Sequence, residues 1–250
     1  MIARAAWPVG YALKEFETID STNEEARRLA SADAPAPIWL RADKQTAGRG
    51  RRGRVWESPT GNLAATLLLR PNRPAAECAQ LSFVTAIAAA DAVAHFAPTA
   101  EIRVKWPNDV LAGGRKVAGI LLESASSGSA VPFWLAIGVG INLAHFPEGT
   151  EFPATSIAAL GVAPPSPRDA LLELASAFAK WYDIWEVQGF LPIRDAWLAR
   201  AAKLGERIRA RLQNEESWGV FEGIDETGAL LLREAGRTRA IAAGEVYFAE

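Results

Sequence analysis
The sequence predicts an α+β protein, with a mixed-sheet unit followed by a small β unit. Helix-like and strand-like stretches follow one another without the regular alternation of a doubly wound sheet. After Leu204-Gly205 the texture changes to short β segments separated by Glu-Glu, Asp225-Glu226 and Gly236 turns, as in a small SH3-like barrel. The 250 residues are 50% hydrophobic and 22% charged, enough to bury one large core and a satellite. The expected division is 1–204 and 205–250. A β unit that small needs the larger one to pack on.

The elements follow in order. Asp20-Ser21-Thr22-Asn23-Glu24 looks like a helix start, with a Ser/Thr cap, acidic first turn, and Ala26, Leu29 and Ala30 on one face. Residues 37–42 read as a buried strand and 43–61 as a long polar loop, a length that marks function or disorder. Residues 62–70 form the strand leaving it, and 75–96 one long Ala-rich helix with Leu81, Val84, Ile87 and Ala88 at helical spacing. Residues 102–106 alternate like a strand; 110–112 and 116–123 pair around a Gly113-Gly114 turn. Residues 133–143 make a strongly apolar strand. Pro164-Pro165-Ser166-Pro167 breaks the chain before helices at 168–188 and about 194–202. Four short strands then cover 207–212, 218–224, 229–233 and 238–241.

Composition removes several function classes. Cys78 is the only cysteine, so neither an intramolecular disulfide nor a zinc cluster can form. His95 and His145 lack metal-ligand spacing, leaving oxygen-ligated Mg²⁺ arriving with a nucleotide as the expected metal. A net charge of −2 argues against a chain-wide nucleic-acid surface. No window offers about 18 uninterrupted apolar residues for a membrane span, and the N-terminus does not read as a signal peptide. A cytoplasmic protein is expected. Walker, kinase and nucleophile-elbow motifs are missing from the sequence.

Four segments nonetheless look built for anions. Gln45-Thr46-Ala47-Gly48-Arg49-Gly50-Arg51-Arg52-Gly53-Arg54 precedes Trp56, and alternating Gly and Arg lets backbone approach a ligand while guanidinium forks hold its oxygens. Alone, such a run is equally a solvated loop or an RNA-binding patch. Its single copy between two strands favours a loop that closes on a ligand. Lys105-Trp106-Pro107-Asn108-Asp109 presents an ammonium, an amide and a carboxylate around a rigid turn, though an Asn/Asp turn bonding its own backbone reads the same way. Arg115-Lys116-Val117-Ala118-Gly119-Ile120 sets Lys116 at a strand start, where an exposed hairpin lysine is the simpler reading. Only six of the 27 basic residues are lysine, and two of them fall in these neighbouring segments, which points to a need for compact charge. Gly138-Val139-Gly140-Ile141-Asn142 marks either close approach of a ligand or tight packing.

Taken together and in this order, Ser21-Thr22-Asn23, GRGRRGR-x-W, KWPND, RKVAGI and GVGIN resemble the catalytic domain of bacterial biotin protein ligases. The resemblance runs from about Glu15 to the C-terminus, where GIDETGALLL resembles that family's small last domain. It implies an ATP-dependent synthesis of biotinyl-5′-AMP and transfer of biotin to a lysine of a biotin carboxyl carrier protein of acetyl-CoA carboxylase. The cofactors implied are biotin as substrate, ATP and Mg²⁺. With only about 15 residues before the catalytic pattern, no winged helix-turn-helix and no DNA binding are expected; monomer and homodimer stay open.

Carried over by motif, the resemblance implies a biotin pocket of Ser21, Thr22, Asn23, Gln45, Gly48, Arg49, Gly50, Arg51 and Lys116. It implies ATP contacts from Arg51, Arg54, Lys105 and Asn142, with Trp56 anchoring the loop. Lys116, Arg51 and Asp109 become the candidate catalytic residues, with Lys116 bridging the biotin carboxylate and α-phosphate. The loop is expected to order over the adenylate and keep water out. A lipoate or octanoate ligase of the same fold is the nearest alternative, and an RNA-binding module the alternative from another class.

Overall fold
The computed structural model describes residues 5–126, 130–212 and 215–248. A seven-stranded mixed sheet carries the first unit, in the order β1-β2-β3-β7-β6-β5-β4. Its strands are β1 Ala12–Ile19, β2 Ile38–Gln45, β3 Leu63–Leu69, β4 Ile102–Lys105, β5 Asp109–Ala112, β6 Arg115–Ala125 and β7 Trp134–Ile141. Only β1 and β2 run parallel, joined by helix α1 Thr22–Ser31; the other pairs are antiparallel.

Strand pleating divides the sheet into two chemically different faces. On β7, Leu135, Ile137, Val139 and Ile141 enter the main core, while Trp134 and Ala136 face α1 beside Ala26, Ala30, Leu40 and Leu68. Helix α3 Leu81–Phe96 and helix α4 Pro167–Gln188 cover the core face. Helix α3 is apolar nearly all round because it is enclosed nearly all round. Residues 75–96 are long and apolar enough to cross a membrane by composition, but most of that segment is buried inside the protein as a core helix.

Several expectations change in detail. The single helix at 75–96 is two, α2 Ala75–Cys78 and α3, because bonds from Gln80 N–H to Glu77 and from Ser82 N–H to Ala79 tighten the chain between them. Ser21 is the N-cap residue of α1, but its side chain makes no capping hydrogen bond. Strand β2 extends to Gln45, shortening the long loop. The helix expected at 194–202 is α5 Phe190–Leu198. Gly189, with φ 76°, ends α4 and lets α5 restart at once, while Pro192 sits in the first turn, where no donor is needed. Strand β1 was not expected: its inward residues Leu13, Phe16 and Ile19 are spaced by three, which hides the strand period.

The C-terminal unit is a five-stranded antiparallel sheet in the order β11-β10-β9-β8-β12. It comprises β8 Arg207–Arg211, β9 Glu216–Ile224, β10 Leu230–Glu234, β11 Arg237–Ile241 and β12 Glu245–Phe248. Strand β12 has only four residues and escaped the sequence reading. Ile208, Phe221, Leu230, Leu232 and Val246 belong to the same core as α3 and α5, with Trp197 edge-on between Phe83 and Phe221. The small sheet therefore shares its hydrophobic stabilisation with the large one, as its size requires.

Candidate active site
A cleft of about 290 Å³ opens on the sheet face that carries Gly138 and Gly140. It is lined by Ser21, Thr22, Asn23, Gln45, Arg49, Gly50, Arg51, Arg54, Lys105, Asp109, Lys116 and Asn142, all singled out from sequence. Gly48 is not a lining residue, but its backbone supports the loop: a Cβ there would collide with the Trp56 carbonyl.

The floor is neutral and polar. The first turn of α1 sits over β3 and β7, and Thr22 N–H donates to Gln45 Oε1 at 2.8 Å. Gln45 Nε2 donates to Ser58 Oγ at 2.8 Å, which fixes which end of the amide faces Thr22. Thr66 Oγ1, on β3, lies 2.7 Å from Thr22 Oγ1 and 2.6 Å from Asn23 Oδ1. Asn23 Nδ2 donates to Glu123 Oε2 at 2.7 Å. A Cβ on Gly138 would strike the Asn23 amide, so this glycine gives the asparagine its seat.

The loop forms a hook over this floor. Trp56 N–H donates to Gly48 O at 3.0 Å, Gly50 N–H to Arg54 O at 2.8 Å, and Arg49 pairs with Val55 across an isolated bridge. Arg51–Gly53 makes a 3₁₀ turn at the tip. The Trp56 ring lies where a Cβ of Gly140 would be and 3.1 Å from where one on Gly119 would be. Tight packing, of Asn23 on Gly138 and of Trp56 on Gly140, is thus the answer to the ambiguous glycines of β7, and Trp56 anchors the loop.

Cations gather along the other side. A β-bulge on β6, opposite Val110 and Leu111, sends Val117 into the core and turns Lys116 toward the cleft, facing Leu111. Lys116 Nζ reaches Asp109 Oδ1 at 2.6 Å, and the Trp56 ring centroid lies 5.6 Å away. Lys105 is 6% exposed, its Nζ 3.8 Å from the Phe152 ring centroid and 5.1 Å from that of Phe248. Burial lowers its ammonium to about 8, with Lys116 adding repulsion and Asp109 opposing the shift. Burial also depresses the Arg51 guanidinium, which donates to Asn108 Oδ1 at 3.3 Å. Asn142 is buried and donates to Thr155 O at 3.0 Å.

The sequence missed the acidic counterparts. Glu245 of β12 grips Arg54 at 2.7 Å and Arg52 at 3.5 Å, and Glu151 stands 3.4 Å from Arg54. Burial alone would raise the Glu245 carboxyl, but Arg54 and Arg52 outweigh it and hold it below its ordinary range. Arg49 is held by Glu24 at 3.1 Å and Glu123 at 3.3 Å. No local motif announces Glu245, because Arg54 reaches it across 191 positions of sequence. Among the described residues, no group of three His, Cys, Asp or Glu side chains is arranged to hold a metal ion.

A neutral hydrogen-bonding floor beside a bank of cations makes a cleft of an enzyme type that can hold an uncharged polar group next to anions. The family profile of biotin/lipoate A/B protein ligases matches residues 15–142, and that of the biotin protein ligase C terminal domain matches 203–249. The chain belongs to the biotin/lipoate A/B protein ligase family. It is 50% identical to the biotin–[acetyl-CoA-carboxylase] ligase of Paracoccus denitrificans, over 92% of this chain and 97% of that protein. Identity to the Escherichia coli bifunctional ligase/repressor BirA is 30%, over 95% of this chain and 74% of that one. The Aquifex aeolicus biotin protein ligase, solved with biotin and ATP, superposes with a TM-score of 0.81 at 28% identity, covering 94% of this chain and 97% of that one.

Proposed function
We propose that this protein is a biotin–[acetyl-CoA-carboxylase] ligase. In the first step an oxygen of the biotin carboxylate attacks the α-phosphorus of ATP and pyrophosphate leaves, forming biotinyl-5′-AMP. In the second, a lysine amine of a biotin carboxyl carrier protein attacks the acyl carbon and AMP leaves. The observation that carries this reading is the juxtaposition, in one cleft, of an uncharged polar floor with Arg51, Arg54, Lys105 and Lys116.

Two anions must approach in line, so holding them and cancelling their repulsion does most of the catalysis. Ser21, Thr22, Asn23 and Gln45 bind the ureido ring. Lys116 leaves Asp109 to bridge the carboxylate and α-phosphate, with Arg51 and the Gly48 and Gly50 backbone close by. Arg49 moves from Glu24 and Glu123 onto the ligand. Arg54 exchanges Glu245 for phosphate, Lys105 sits beside the nucleotide, and Asn142 serves it or its metal. Asp109, released by Lys116, takes a proton from the incoming amine. Mg²⁺ would arrive with ATP, with Asn142 as the residue to serve it, and would neutralise phosphate charge. The proposed setting is the cytoplasm, with residues 1–204 as catalytic unit and 205–250 as the unit that closes its nucleotide side.

ATP–pyrophosphate exchange tests the assignment. Biotin should drive exchange and lipoate should not; exchange driven by lipoate alone would make the protein a lipoate ligase of the same fold. Tight, steeply salt-dependent RNA binding without biotin-driven exchange would favour the RNA-binding alternative.

A further inference from the structure
Thr66 is absent from every motif of the sequence, yet it is fully buried on β3 beneath the cleft, directly across from Gly138 of β7. Its hydroxyl makes two close oxygen contacts, 2.7 Å to Thr22 Oγ1 and 2.6 Å to Asn23 Oδ1, and carries one proton. Neighbouring groups decide where that proton goes. Glu123, ion-paired with Arg49, can only accept, so the Asn23 group 2.7 Å from it is the amide nitrogen and Oδ1 faces Thr66. An amide oxygen only accepts, and Thr66 must donate to it. The remaining contact, Thr22 to Thr66, then needs the proton of Thr22. Gln45 Oε1, 3.1 Å from Thr22 Oγ1, competes for that proton, but the Thr22 backbone N–H already serves it at 2.8 Å, and the 2.7 Å contact between the two hydroxyls would hold no proton at all if Thr22 turned to Gln45.

We infer that Thr66 is a specificity-determining positioning residue: it draws the Thr22 proton inward, so that Thr22 Oγ1 presents only lone pairs to the cleft. The floor thereby becomes a one-way relay, from a ligand N–H to Thr22, to Thr66, to Asn23, to the Glu123 carboxylate. Such a floor selects a ring bearing N–H donors, as a cyclic urea does. A dithiolane ring, which has none, would leave the Thr22 oxygen desolvated and unpaired. The inference rests on the proposed biotin chemistry and identifies what within the cleft enforces it.

The test is a series of biotin-driven ATP–pyrophosphate exchange measurements on the full chain. Thr66→Val keeps the shape but removes the proton donor, and should raise the KM for biotin about tenfold while the KM for ATP moves less than about twofold. Thr66→Ser keeps the hydroxyl and should return biotin KM to within about threefold of the parent. In a Thr22→Val background, Thr66→Val should add almost nothing, because the relay already lacks its first member. If Thr66→Val does not fold, Thr66→Cys takes its place, its weak donor placing KM between Ser and Val. An unchanged biotin KM in the Val or Cys variant overturns the inference alone, as does a Ser variant no better than Val. A parent protein that activates lipoate and not biotin overturns the functional reading and this inference with it.

Discussion
The floor and the roof of the cleft are built on opposite electrostatic plans. On the floor, Thr22, Asn23, Gln45, Ser58 and Thr66 are joined by short neutral hydrogen bonds. Four of the five are buried, and Gln45 is partly buried. On the roof, the side chains of Arg49, Arg52 and Arg54 are 39–46% exposed and lean on carboxylates from α1, β6, the 150s loop and β12. Buried networks are costly to rearrange, whereas exposed ion pairs contribute only about 0–1 kcal/mol each and can be exchanged. The contrast teaches a division of labour. On the proposed reading the buried floor would choose the acid, while the roof would exchange its carboxylates for phosphate.

Four experiments would break or sharpen that contrast. The largest effect belongs to Lys116→Ala, which should lower adenylate formation by about 10²–10³-fold with an unchanged melting temperature. Near-normal exchange would remove Lys116 from the chemistry. Lys105 comes next. Its folded value of about 8 lies below its ordinary 10.5, so between these pH values the unfolded chain holds more protons and stability rises with pH. Replacing it with Met should abolish that rise, worth up to about 3 kcal/mol, in denaturant titrations at pH 7 and 10. ATP affinity should fall as pH climbs through about 8. A parent protein whose stability falls over that range relative to Lys105→Met would show that the ammonium is not desolvated.

Gly140→Ala pushes the Trp56 ring off its seat and should cost about 1–3 kcal/mol with a higher biotin KM. No change in either would mean that the ring does not rest on β7 in solution. The smallest effect is reserved for the roof. Glu245→Gln frees Arg54 from its partner and should shift the ATP KM by only about two- to fivefold, mostly at low salt. A hundredfold change would make Glu245 part of the rigid machinery. As a companion measurement, trypsin cleavage at 49–54 should slow with biotin plus ATP; equal cleavage in both conditions would refute closure of the loop.

Much of this was legible in the amino acids. The apolar run of β7, the capped and Pro-initiated α4, and the Gly113-Gly114 turn with both φ values positive all follow local rules. The segments that line the cleft were legible as well, because Gly/Arg alternation and scarce lysines are compositional signals. Edge elements were not. Strand β1 pairs on one side only and shows a three-residue apolar spacing, while β12 is too short to display any period.

The sequence by itself determined which residue types would line the cleft and which stretches would be buried, since these depend on side-chain chemistry and local periodicity. Tertiary structure alone decided how those residues act. One extra residue in β6 turns Lys116 from core to cleft, a consequence of pairing with β5 that no local pattern encodes. The partners of the loop arginines come from α1, β6, the 150s loop and β12, and the Thr66 proton is directed by a carboxylate 57 positions further along the chain, at Glu123. Charge and hydrogen-bond direction act across a few ångströms of space. The chain order that sets residue identity carries no record of those distances until the sheets are assembled.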